Sequence, residues 1–402
     1  MEEMVNAVIG DLHAGRQPST ELLSLTGRSF ADKVRESYET ITPDFKTPDT
    51  EMLARLTSDV WQFSAAKNWQ EMRDLTLLLK DDDGKLRTFA DFKDQAVKIT
   101  GKYNEAWFRS EYNFSVAASQ NAARWTEFER DKDTIPNLKY QTVGDDAVRP
   151  EHQLLDGIIR PVSDPFWSTH YPPNGYGCRC EAVQSPTGLG TVTPDDKVPL
   201  VDIPKMFRTN LAKTGLIFPK NHPYYNGIPK PELRKSIAWL QPEDTYQSFV
   251  IGDYELDIHP LHGDKELGKN LEAVNALMRH DPKAKVKLLP VIEVNTRTKA
   301  KDMAARDKFF PEDYMKKFPG RNADAIYNNK VVEFESPNGS KRSIQHAISH
   351  GKAQAGKVII HIGDRTDFGL ALNAAKGHIK AHYKDGDFEV WLLSGKRFVK
   401  VK

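Results

Sequence analysis

Cys178 and Cys180 are the only cysteines of the 402-residue chain, and they lie one residue apart in YPPNGYGCRC, residues 171–180. A disulfide between residues two apart in an extended segment closes a small, strained ring, so a stable bond is not expected. Metal is the competing use. Soft thiolates with an imidazole suit zinc: His152, Cys178 and Cys180 supply three donors, and Asp145, Asp146 or His170 could complete four. The alternative is structural, a hydrogen-bonded knot of Arg149, Asp164, Arg179 and the turn backbone that secures the end of the preceding helices.

A second set of reactive side chains lies in the last hundred residues. His346 and His350 are four apart, so a helix presents both on one side, with Arg342 one turn before and Gln354 one turn after. RNA cleavage through the 2′-hydroxyl needs a base, an acid and cations for the phosphate, and requires no metal. This stripe offers all three, and Lys341, Lys352, Lys396 and Arg397 could grip backbone phosphates. A third set competes for the same chemistry. Asp324 followed by Glu333 and Glu335 is a carboxylate cluster that could hold magnesium. In the plain reading of those acids, Asp324 is a turn residue and Glu333 and Glu335 face solvent from an edge strand.

The elements that must position these residues follow from periodicity. Met52, Leu53, Leu56, Val60, Trp61 and Phe63, then Phe92, Val97, Ile99, Tyr103, Trp107 and Phe108, recur at helical spacing, interrupted by DDDG at 81–84. Residues 110–130 continue as an amphipathic helix. Beyond Asp133 short strands and turns are expected up to Cys180, and the breaker-rich residues 185–207 and 218–232 read as an arm or linker. Order returns with a helix over 266–280, a strand over 285–294 and a helix over 298–310. A hairpin over 323–336 turns on Asn328 and Asn329, which tolerate positive φ. Then come a helix over 342–355, a strand over 357–362, a helix over 366–381 and a closing hairpin at Ser394-Gly395. The fold class is therefore α+β and multi-domain: a mainly helical N-terminal body with the cysteine-bearing turns, then an α+β domain on a mainly antiparallel sheet.

Charge is also unevenly distributed along the chain. Residues 296–402 carry 21 Lys and Arg against 12 Asp and Glu, a charge of +9, so the remainder carries −8. A basic C-terminal module suggests a polyanionic partner such as nucleic acid, whereas the acidic remainder suggests protein contacts. No run of eighteen apolar residues occurs, and MEEMVNAVIG opens with acids where a secretory leader carries basic residues, so neither a membrane span nor a signal peptide is expected.

Thr142, Asp145, Arg149, His152, Leu155, Gly157, Asp164, Trp167, the PPNG turn and Cys178-Arg179-Cys180 together resemble the phage minor head, or head morphogenesis, family typified by the F protein of phage Mu. The likeness covers about residues 50–185. It implies a virion protein that sits with portal and capsid proteins, assists head assembly and DNA packaging, and enters the host cytoplasm with the DNA. It implies no catalytic residue in that part.

Some members carry a C-terminal toxin domain, and residues from about 255 are similar to tRNase domains of contact-dependent inhibition toxins and to barnase, colicin and RelE-like nucleases. That likeness implies a metal-independent ribonuclease acting on tRNA or other RNA, no cofactor, and a cognate immunity protein as a further partner. A basic domain that binds packaged DNA without catalysis is the alternative. Asp324 with Glu333-Phe334-Glu335 also resembles the metal-binding half of a restriction-type nuclease, but that pattern ends in lysine where this chain has Glu335. The expected organisation is a helical or extended N-terminal arm over 1–50, the minor head domain over 51–185, a Pro-rich linker or arm over 186–254 and the nuclease-like domain over 255–402.

Overall fold

The computed structural model describes residues 19–41, 47–85, 87–186, 188–251, 254–295, 299–363, 366–383 and 387–402. Residues 1–18 of the expected arm, and Thr298 at the start of an expected helix, lie outside the described residues. The chain divides into two compact units, Met1–Asp44 with Arg55–Ile237, and Phe45–Ala54 with Ala238–Lys402.

The first unit is built on four long helices: α1 (Thr20–Glu39), α2 (Thr47–Leu77, from Arg55 onward), α3 (Phe89–Gly101) and α4 (Phe108–Asp131). α3 and α4 are joined by a π-helical stretch, Lys102–Trp107, so the expected break between them is a change of winding. Helix α1, within the segment expected as an arm, begins where the Ser19 hydroxyl accepts the Leu22 amide, and the Ser19 amide donates to Asn68 Oδ1 at 2.9 Å. Aromatic rings fill the centre. Phe30 meets Phe63, Phe108 and Phe218 with centroids 5.8, 5.0 and 5.9 Å apart, and Phe63 stacks on Phe218 at 3.5 Å. Gly27 lets α1 approach α2, because a Cβ there would collide with the Trp61 ring.

Part of the stretch expected as a linker belongs to this core. Ile203, Phe207, Leu211, Ile217, Phe218 and Tyr224 are all buried. Its prolines and glycines stop regular elements from forming, but they do not stop apolar side chains from docking. The Asp59 carboxylate fixes the return, accepting the amides of Ile217 and Phe218, both at 2.8 Å, and pairing with Lys220 at 2.8 Å. A small antiparallel sheet lies between α4 and this return in sequence: β1 (Asn137–Gln141) sits between β2 (Ile159–Pro161) and β3 (Glu181–Val183).

In the second unit, helix α5 (Lys230–Ala238, its last residue only) leads to an eight-stranded sheet among the described residues. The strands are β4 (Gln247–Ile251), β5 (Tyr254–Ile258), β6 (Val286–Leu288), β7 (Ala325–Tyr327), β8 (Lys330–Glu335), β9 (Lys357–His361), β10 (Glu389–Leu393) and β11 (Phe398–Lys400). Their spatial order follows the sequence. The sheet is mixed, with four antiparallel and three parallel pairings, rather than mainly antiparallel. The parallel pairs arise because helices α6 (Asp264–His280), α8 (Lys341–Lys352) and α9 (Phe368–His382) form the crossovers β5 to β6, β8 to β9 and β9 to β10. A further helix, α7 (Lys299–Asp307), precedes β7. Ile344 and Ile348 of α8, and Ala371, Ala375 and Ile379 of α9, pack on Val358, Ile360, Val390 and Leu392. Asn328 and Asn329 both have positive φ, 47° and 64°, and close the β7–β8 hairpin as expected.

Asp59→Ala removes the acceptor of two buried amides and should cost about 2–4 kcal/mol of stability, whereas Lys220→Ala, at a partly exposed ammonium, should cost under about 1 kcal/mol. Urea unfolding followed by tryptophan fluorescence reads both; equal losses would contradict the anchoring role given to Asp59.

Candidate functional site

The β7–β8 hairpin and α8 assemble one site in the second unit. On β8, Glu333 and Glu335 are two apart and project to the same side, paired in register with Val358 and Ile360, the β9 residues that pack beneath α8. Their face is thus the α8 face. β8 lies between β7 and β9, so it is not an edge strand, and Glu333 is buried rather than solvated. Asp324, just before β7, is also buried: its Oδ2 accepts the Phe334 amide at 2.9 Å, and its own amide donates to Glu333 Oε2 at 3.3 Å.

From α8, His350 Nδ1 lies 2.6 Å from Glu335 Oε1, and the His346 and His350 rings are nearly parallel with centroids 6.3 Å apart. Glu335, Arg342 and His346 line an open cleft of about 420 Å³ with Ser336, Asn338 and Ser340. The expected helical stripe is therefore present from Arg342 to His350. Gln354 is not part of it, because α8 ends at Lys352 and the Gln354 amide closes a turn onto the Gly351 carbonyl.

Crowding of acids sets the electrostatics. Burial pushes Asp324 up to about 7, and the negative charges of Glu266 and Glu335 add to the effect, opposed by the Phe334 amide and Asn270. Glu333 is pushed well above the usual carboxylate range by burial first and then by Asp324 and Glu335. Glu335 is raised by burial, against the pull of His350. Two contributors were not evident from sequence. Asn270 on α6 donates one amide hydrogen to Asp324 Oδ1 at 3.0 Å and the other to His262 Nε2 at 3.1 Å, and Glu266 adds a charge from one turn earlier on the same helix. Their one sequence signal is that both lie on the helix expected over 266–280.

The other cations named from sequence do not join this cleft. Lys352 lies over the Tyr383 and Phe388 rings at 4.2 and 5.2 Å. Lys396 and Arg397 border a separate cleft of about 270 Å³ with Thr366, Asp367 and Phe368. Lys341 opens α8 and is exposed.

The first unit holds the other cluster. Cys178 Sγ and Cys180 Sγ lie 3.7 and 3.6 Å from His152 Nδ1; all three residues are buried and both thiols are free. Cys178 is held down to about 4, first by its hydrogen bond with Cys180 and, against burial, by His152 and the amides of Asn174 and Cys180, while Cys180 is pushed up in turn. The fourth donors proposed from sequence are engaged elsewhere in two cases: Asp145 makes two 2.7 Å bonds to Arg179, and His170 stacks on Phe166 and bonds Thr169 Oγ1 at 2.8 Å. Asp146 is exposed and outside the cluster. Arg149 donates to the Tyr176 carbonyl at 2.5 Å, whereas Asp164 is bound by Arg160 at 2.6 and 2.9 Å. The segment docks on α4 through the Tyr171 hydroxyl, which donates to the Asn121 carbonyl at 2.7 Å.

Residues 83–183, from just beyond the end of α2 through the turn-rich, three-stranded region, match the family described as Phage Mu protein F like protein. It is 39% identical over 69 residues to the putative capsid assembly protein F of Escherichia phage Mu, covering 17% of this chain and 16% of that protein. It is 42% identical over 60 residues to the Mu-like prophage FluMu F protein of Haemophilus influenzae, covering 15% of this chain and 14% of that protein. The chain thus matches about a sixth or less of the length of these relatives. No solved structure matches the chain. Among the described residues, no helix is long and apolar enough to cross a membrane.

Because the folded-state pKa of Asp324 lies above its unfolded value, its folded form keeps the proton longer. Its contribution to stability is complete below the ordinary carboxylate range and is lost as pH rises through about 7. Unfolding free energy should therefore decline across that window, and Glu333→Gln, which takes one acid out of the cluster, should flatten the decline. A wild-type slope unchanged in Glu333→Gln would show that these acids do not interact.

Proposed function

We propose that the chain is a phage head assembly component whose first unit joins portal and capsid proteins and whose second unit acts on the phosphodiester backbone of nucleic acid. The head role is supported by the match over residues 83–183 and by a relative described as a capsid assembly protein. If it holds, an immunoblot of purified virions of the encoding phage detects the chain, and disrupting its gene leaves heads incomplete by electron microscopy. Normal heads lacking the chain would overturn it.

The observation that carries the second role is the gathering of Glu335, Arg342 and His346 on one cleft, with His350 held by Glu335. When its Nδ1–H donates to Glu335, neutral His350 carries its lone pair on Nε2, where it can take the proton of a ribose 2′-hydroxyl. His346 can return a proton to the leaving 5′-oxygen, and Arg342 meets the charge that develops on the phosphate between them. The Glu335 carboxylate orients the base and balances its positive charge after transfer.

A second reading rests on another observation: Glu333, Glu335 and His350 bring their ligand atoms within 4.8 Å of one another, with Asp324 bonded to Glu333. Two carboxylates and an imidazole fit a divalent cation, and the imidazole suits manganese better than magnesium. Such an ion would activate water for hydrolysis, and Asp324 would help to hold Glu333 in place.

The purified full chain incubated with total tRNA, with and without EDTA, separates the two. Metal-independent cleavage that falls by about 10²–10⁴-fold in His350→Ala or His346→Ala supports acid–base chemistry. Cleavage abolished by EDTA and by Glu333→Gln supports the cation. If neither RNA nor DNA is cut under either condition, both readings of the second unit fail and a DNA-binding role remains.

A further inference from the structure

We propose that His152, Cys178 and Cys180 form a zinc site that ties the cysteine-bearing turn of the Mu F-like domain to the short helix at Pro150–Gln153. Zinc bound tetrahedrally holds sulfur at about 2.3 Å and imidazole nitrogen at about 2.0–2.1 Å, which places a sulfur and a nitrogen ligand about 3.6 Å apart. The observed separations, 3.7 Å from Cys178 and 3.6 Å from Cys180 to His152 Nδ1, are those of two edges of such a tetrahedron.

Backbone amides of Asn174 and Cys180 donate to Cys178 Sγ. The three donors are buried, and the Tyr140 hydroxyl bonds Cys180. Two sulfurs and one nitrogen select zinc or another soft ion over magnesium or calcium. Arg179 with Asp145, Arg149 with the Tyr176 carbonyl, and Tyr140 with Asn174 also join these segments, at 2.7, 2.5 and 3.0 Å. With three protein donors, the fourth corner falls to solvent.

The test is metal analysis of the full chain produced in zinc-supplemented medium and freed of loose metal by gel filtration. We expect about one zinc per chain, retained in Glu333→Gln and reduced to less than about a tenth in Cys178→Ser and in Cys180→Ser. Because either serine variant could misfold, cobalt(II) is also titrated into the metal-free wild-type chain. Thiolate-to-cobalt charge-transfer absorption should saturate at one equivalent and vanish on adding one equivalent of zinc. The proposal is overturned by a wild-type chain with neither stoichiometric zinc nor that absorption, or by full zinc content in both serine variants.

Discussion

One edge of helix α2 decides whether the first unit closes. Asp59 takes the amides of Ile217 and Phe218, and Gln70 Nε2 donates to the carbonyls of Tyr224 and Asn226, both at 2.9 Å. Between them Lys67 is buried against Glu111, and the Tyr224 hydroxyl donates to the other Glu111 oxygen at 2.7 Å. A returning loop without regular structure must satisfy its backbone groups somewhere, and here helix side chains provide the partners. Burial lowers Lys67 against the pull of Glu111, so the ion pair is held by geometry and costs more to break than it contributes when intact. Once Phe218 is seated on Phe63, the helices share one aromatic core and the cysteine-bearing turn has a fixed surface on α4.

The second unit is governed by β8, which changes the sense of the sheet. It pairs antiparallel with β7 and parallel with β9. The hairpin sets the depth of Asp324 against Glu333 and Glu335, and the crossover through α8 lays His346 and His350 over the same face. Both demands meet on a six-residue strand. Carboxylates buried this close repel each other, and the fold tolerates them because the Phe334 amide, Asn270 and His350 each take one of the oxygens. Crowding of this kind comes at some cost in stability.

Much of this was readable in the sequence where local periodicity controls geometry. Four-residue spacing put Arg342, His346 and His350 on one side of a helix, alternation put Glu333 with Glu335, and the two asparagines marked the hairpin. What was hidden depends on distance along the chain. Asn270 reaches Asp324 across 54 residues, and nothing local says so. Pro- and Gly-rich composition made residues 203–226 look like a tether, although their apolar side chains are buried; composition reports backbone regularity and is silent on docking. Helix α1 falls in the stretch expected as a helical or extended arm, and its Ser19 and Gly27 serve a cap and a close helix crossing. The cations failed for a related reason: Lys352 has a long stem that prefers to lie across Tyr383 and Phe388, and charge alone does not say where it points.

The β7–β8 turn has a further consequence for how the gene can change. Strand pairing fixes Ala325 opposite Val332 across a connection of only two residues. Insertion or loss of a single codon there would rotate the strand by one pleat, driving both acids toward the opposite layer and Phe334 into the cleft. Drift in this hairpin is therefore confined to point replacement.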